Sequence, residues 1–201
     1  MGEPDAPAAA RRRRGEELER AIFDAVWAEL DAVGYEGLTM EGVAARAQTG
    51  KQVLYRRWPN RLELVLAAVR DRSGSILDHA PDTGSLRGDA TAILRHMADR
   101  QQELGIHGIR GLMMDAADLD PSGFARSAGI WAAVIERAAK RGEIGPSPVP
   151  GRVTGTAGEL LRHRILISSA PVTDEDIALL VEDIFLPLIR FHAAGRQPLQ
   201  S

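Results

Sequence analysis

The chain has 201 residues, of which 44% are hydrophobic and 26% charged, the balance of a folded globular protein with an apolar core rather than of a disordered chain or a metal miniprotein. It has no cysteine, which excludes disulfide scaffolds, thiol nucleophiles and thiolate metal sites together. The net charge is −3, so affinity for nucleic acid cannot be argued from the total, only from where the charge lies.

In chain order, residues 1–15 are rich in Pro, Ala, Gly and Arg without apolar periodicity and read as a flexible basic arm. From Glu16 to Val33 the apolar positions Leu18, Ile22, Ala25, Val26, Leu30 and Val33 recur at helical spacing, with Gly34 closing the segment. Thr39 can cap a short helix over 40–45, and Gly50 a second over 51–58 that Pro59 ends. Asn60 and Glu63 form a capping pair for a fourth helix reaching about Leu77. After a Pro-Asp-Thr-Gly turn at 81–84, the pattern predicts helices over 85–104, 106–117, 122–141, 151–168 and 174–193. About nine helices result, with no strand alternation and no internal repeat. The fold class is therefore all-α: a three-helix headpiece over 16–62 and a larger helical domain over 63–201.

Charge is unevenly spread along this plan. Between Gly42 and Leu62 stand five basic residues, Arg46, Lys51, Arg56, Arg57 and Arg61, and no acidic one. Residues 71–201 carry 14 basic against 17 acidic side chains. Arginine abundance itself is not read as function, because only Lys51 and Lys140 of the 25 basic residues are lysine and the chain is rich in Ala and Gly, as a G+C-rich genome would produce. Two short helices around a tight turn, the second one basic, are what reading a DNA major groove requires, although any small three-helix bundle shows the same spacing.

The run Thr39-Met40-Glu41-Gly42-Val43-Ala44-Ala45-Arg46-Ala47, followed by Gly50-Lys51-Gln52-Val53-Leu54-Tyr55-Arg56-Arg57-Trp58-Pro59-Asn60-Arg61, resembles the headpiece of TetR-family transcriptional regulators. The likeness extends over about Glu16 to Val65, including the Gly34-Tyr35-Glu36-Gly37-Leu38 bend, and 110–138 is similar to one actinobacterial subgroup. The resemblance implies that Lys51, Gln52 and Tyr55 face outward from the recognition helix. Lys51 and Gln52 have the chemistry of base readers. Tyr55, Arg61 and the Thr39 hydroxyl fall where the family grips phosphate, with Arg56 or Arg57 adding to that grip. Val43, Ala44, Leu54 and Trp58 are expected to be packing residues. The arm Arg11–Arg14 is either a minor-groove contact or solvated charge. Gln48 stands where the family has its turn glycine, and a left-handed backbone there costs a non-glycine residue about 1–2 kcal/mol.

The same resemblance implies a homodimer on a palindromic operator and a small-molecule effector held by the C-terminal domain. Leu161, Ile165, Ile177, Leu180, Val181, Ile184 and Leu188 are the expected dimer residues, and Pro187 is expected to kink the last helix. Met97, Met113, Met114, Phe124, Trp131 and Ile135 are the expected pocket residues, soft or aromatic side chains that could equally be plain core. The histidines lack metal-ligand spacing, and no cofactor or metal is expected. There is no apolar run of the roughly 18–20 residues that a membrane span needs, and no signal-peptide pattern, so the expected compartment is the cytoplasm. Two rival readings find less support in the sequence. An enzyme built on Glu159 and His163 lacks a nucleophile elbow, phosphate loop or metal motif; a helical adaptor binding no specific DNA has no use for the basic window.

Overall fold

The computed structural model describes residues 6–73, 80–119 and 122–195, with side chains placed over 15–72, 80–116 and 127–195. Every regular element among them is helical, and the chain divides into two compact units, 1–74 and 75–201. The division falls about one helix beyond the expected boundary at residue 63. Helix α4 (Arg61–Ser73) turns Leu62, Leu64, Val65, Ala68 and Val69 inward and packs them against α1, which makes it part of the headpiece core.

In the N-terminal unit α1 spans Ala6–Gly37 and breaks at Gly34, whose φ of 70° only glycine adopts without cost. The helix begins ten residues before the expected Glu16. Ala and Arg are strong helix formers, so the run needs no apolar stripe to be helical. Ile22, Phe23, Ala25, Val26 and Trp27 form its buried face, and beyond the break Tyr35 and Leu38 turn back into the same core. Helices α2 (Met40–Arg46) and α3 (Lys51–Arg57) lie across this core.

The C-terminal unit contains α5 (Leu86–Leu119), α6 (Ser122–Lys140), α7 (Gly151–Thr154), α8 (Thr156–Ile167), α9 (Asp174–Leu179), a π-helical segment (Leu180–Phe185) and α10 (Leu186–Ala193). Gly105, at φ 67°, divides α5 where the two expected helices met. The helix expected over 151–168 is likewise divided, at Gly155. A π segment directly precedes Pro187, in keeping with a residue that cannot donate to the helical ladder. The core joins Ala90, Ile93 and Leu94 of α5 to Leu161 and Ile165 of α8 and to Val181, Phe185 and Ile189. One carboxylate is sealed at its edge. Asp89 accepts from the Thr83 amide at 2.6 Å, the Thr83 hydroxyl at 2.8 Å and Arg141 Nη2 at 3.2 Å, which fixes the 81–85 turn on the end of α6.

The expected dimer residues lie mostly in the core of their own chain. Leu161, Ile165, Ile177, Leu180 and Val181 are buried within their own chain, and Ile184 is half-buried; of the seven, Leu188 alone is exposed. The outward apolar side chains are Leu160, Ile167, Leu179, Leu188 and Phe191. Periodicity locates an apolar stripe but not what covers it, and one π turn adds a residue and rotates everything after it by about a quarter-turn. Among the described residues no helix is long and apolar enough to cross a membrane, and no three His, Asp or Glu side chains gather as metal ligands.

Candidate nucleic-acid interface

Helix α2 starts at Thr39, whose hydroxyl accepts from the Gly42 amide at 3.0 Å. That bond satisfies one orphan donor of the first turn and leaves the hydroxyl proton free to donate elsewhere. Met40, Val43 and Ala44 are buried beneath. The chain then reverses through Gln48, at φ 51°, with the Thr49 amide donating to Ala44 O at 2.9 Å. The turn is left-handed in spite of the absent glycine, at a cost in backbone strain. Gly50 opens α3 without a side-chain cap.

Helix α3 is held by Leu54, which is fully buried, and by Trp58 at its end, whose ring lies 5.6 Å from that of Phe23. Val43, Ala44, Leu54 and Trp58 are packing residues, as their types implied. Fixing that face turns Lys51, Gln52, Tyr55 and Arg56 to solvent, with Tyr55 45% exposed. An exposed face carrying an ammonium, an amide, a phenol and a guanidinium is rich in donors for base edges and phosphates.

The other cations are less free. Arg57 pairs with Glu19 at 3.0 Å and lies over the Trp58 ring, and Arg46 pairs with Glu29 at 2.8 Å. Arg61 stacks 4.8 Å over Tyr35 and donates to Glu36 O at 3.3 Å, tying the start of α4 to the bend after α1. Lys51 has Glu41 at 3.8 Å, both side chains well exposed. The window without acidic residues is thus partly neutralised by glutamates that lie outside it in sequence. Glu19 and Glu29 are 38 and 17 residues from their partners, and no local pattern announces them. Arg11–Arg14 lie outside the described side chains.

The expected pocket residues with described side chains differ in burial. Met114 is exposed, Met97 and Met113 are half-buried, and Trp131 is buried against Phe185 with ring centres 5.0 Å apart. Phe124 lies outside the described side chains. Of the five whose side chains are described, Ile135 lines a space of ≈500 Å³ between α6 and the 144–151 segment, and Trp131 a smaller one beside it. The walls of the larger space are mostly Ala, Gly and Pro, small residues that a search for soft or aromatic linings passes over.

Comparison with known proteins follows this division. Residues 22–68 match the family described as bacterial regulatory proteins, tetR family, and residues 80–184 match the tetracyclin repressor-like C-terminal domain. A curated relative, the DNA-binding transcriptional repressor TetR of Mycobacteroides abscessus, is 32% identical over 88% of this chain and 96% of its own. An HTH-type transcriptional regulator of Mycobacterium tuberculosis is 31% identical over 77% of this chain and 79% of its own. Among solved structures, the TetR family transcription regulator SCO0332 superimposes with a TM-score of 0.62 at 28% identity, covering 84% of this chain and 97% of that one. The Thermus thermophilus repressor FadR, solved with lauroyl-CoA, shares the fold with a TM-score of 0.57 at 15% identity, over 91% of this chain and 98% of its own.

Proposed function

The chain belongs to the TetR family of DNA-binding transcriptional regulators, and from that premise we propose that it is a homodimeric repressor whose operator affinity is lowered by a small molecule. The observation that carries the reading is the outward face of α3, where Lys51, Gln52, Tyr55 and Arg56 stand free of the core that Leu54 and Trp58 anchor. Lys51 and Gln52 read base edges, while Tyr55, Arg56 and the Thr39 hydroxyl hold phosphate. Arg57 and Arg61 position the helix through their contacts within the headpiece and reach phosphate only by exchanging those partners.

A homodimer is supported by the outward apolar side chains of the C-terminal unit. Leu160 and Ile167, seven residues apart, share one face of α8, and Leu179, Leu188 and Phe191 continue the apolar surface on the last helical stretch. Two copies related by a two-fold axis present two α3 helices, which suits a palindromic operator with half-sites about one DNA turn apart, roughly 34–36 Å. Ligand response is supported by the family and by the acyl-CoA held in the Thermus thermophilus neighbour. A ligand releases the operator only if it binds the DNA-free conformer more tightly than the DNA-bound one.

Selection of duplexes from random and genomic DNA by the purified full chain tests this. The expected outcome is one palindromic site, bound by two copies and weakened by salt. If no duplex is enriched over non-specific binding, the chain is not a sequence-specific regulator.

A further inference from the structure

The C-terminal unit keeps a slot open that DNA binding does not use. On α6 the side chains at 128, 132, 135 and 139 form one helical stripe, three alanines and an isoleucine, facing the 144–149 segment across the cavity of ≈500 Å³, a volume typical of small-molecule sites. The segment cannot simply collapse onto α6, because it is fastened on its other side. The Ser147 amide donates to Ala193 O at 3.1 Å, and Gly145 sits so close to the same carbonyl that any Cβ would collide with it.

An adjoining pocket of ≈70 Å³ shares Ala128 and Gly151 as walls and is polar at its end, where Trp131, Ser127, Glu159 and Arg162 meet. Trp131 is only 2% exposed, packed against Phe185, and the indole forms part of this pocket's wall. The absence of a side chain at residue 158 keeps that edge accessible, since a Cβ there would stand 3.1 Å from Nε1. Indole N–H and guanidinium are donors only. Burial holds the Arg162 guanidinium below the usual arginine range, opposed by the charge of Glu159, so a second anion beside it would stabilise its charged form.

We propose that this slot binds a small amphiphile whose apolar body lies along the alanine stripe of α6 and whose carboxylate accepts from Trp131 Nε1–H beside Arg162. The binding stands on this geometry; its consequence for DNA rests on the regulator reading above.

The test uses the full chain, ¹⁵N-labelled, whose three tryptophans give three indole N–H signals, titrated with sodium decanoate below its micellar concentration and separately with decylamine. The expected result is saturable movement of the Trp131 signal alone, identified by its loss in Trp131→Phe, with decanoate binding more tightly than decylamine. Trp131→Phe should weaken decanoate about ten-fold, the value of one net hydrogen bond. Ala132→Phe, at an exposed position on α6, should fill the slot and abolish binding while leaving the thermal midpoint unchanged. A static Trp131 signal, equal binding by Ala132→Phe, or preference for decylamine would overturn the proposal. Each sample is also titrated with the selected duplex. Intact DNA binding without a decanoate response sinks the slot alone, whereas decanoate binding by protein that recognises no duplex sinks the regulator reading and leaves the slot standing.

Discussion

In the headpiece Lys51 and Arg57 pair with exposed glutamates, at 3.8 and 3.0 Å, whereas in the C-terminal unit Asp89 is sealed from water and takes three donors at once. The chemistry is the same and the energetics are opposite. An exposed pair contributes about 0–1 kcal/mol, so a phosphate can replace the glutamate at little cost. A buried carboxylate stripped of its partners, or partners stripped of it, costs several kcal/mol. The headpiece therefore holds its cations in exchangeable pairs, and the C-terminal unit uses charge to fix a turn.

The sharpest way to break this contrast is at Asp89. Asp89→Ala leaves the Thr83 amide and hydroxyl without their acceptor and removes the buried partner of Arg141, which keeps Glu143 at 2.5 Å and Asp82 at 3.3 Å. Those remaining partners moderate the loss to about 2–4 kcal/mol, read as a lower denaturant midpoint. A loss under about 0.5 kcal/mol would show that the network is surface decoration.

On the headpiece side the large effect should fall on DNA and not on stability. Lys51→Ala and Tyr55→Ala remove exposed side chains, so the thermal midpoint should hold within the scatter of surface substitutions. Affinity for the selected duplex should fall about 10–100-fold for Lys51→Ala if it reads a base. Tyr55→Ala should weaken binding on all sequences alike, as loss of a phosphate contact does. Wild-type affinity in both variants would remove α3 from the interface.

The helices were legible because their ends are written in chemistry that acts locally: Gly34 and Gly105 at positive φ, Thr39 as a cap, Thr173 and Asp176 in a reciprocal capping box, Pro59 after α3. The outward face of α3 was legible through family likeness, and burial of Leu54 explains it. What escaped was set by tertiary partners. Leu160 and Leu161 are both apolar and adjacent, but one is exposed and the other buried; only the packed neighbour decides which. The π turn at 180–185 shifts register without a distinctive sequence. The slot beside α6 is bounded by alanine and glycine, residues whose meaning lies in what they leave empty.

A smaller effect is expected at Gln48, where the backbone sits at φ 51°. Gln48→Gly removes about 1–2 kcal/mol of left-handed strain and adds about 0.5–1 kcal/mol of unfolded-chain entropy, for a net gain of roughly 0.5–1 kcal/mol in denaturant titration. A net loss would mean that the Gln48 side chain makes a contribution exceeding its backbone strain.

The smallest effect separates the two meanings of a headpiece ion pair. Glu19→Gln removes the charge opposite Arg57, and because both side chains are about 40% exposed the stability change should stay under about 1 kcal/mol. The informative quantity is the salt dependence of binding to the selected duplex. If Arg57 exchanges glutamate for phosphate, wild type must break the pair on binding and the variant need not. The variant then binds a few-fold more tightly at low salt, and its slope against salt equals that of wild type because the same phosphates are neutralised. If Arg57 stays over Trp58 as a purely structural group, removing Glu19 subtracts a distant negative charge, and any tightening fades with added salt as screened long-range attraction does. Arg57→Met distinguishes these outcomes: it lowers the slope by about one in the first case and leaves it unchanged in the second.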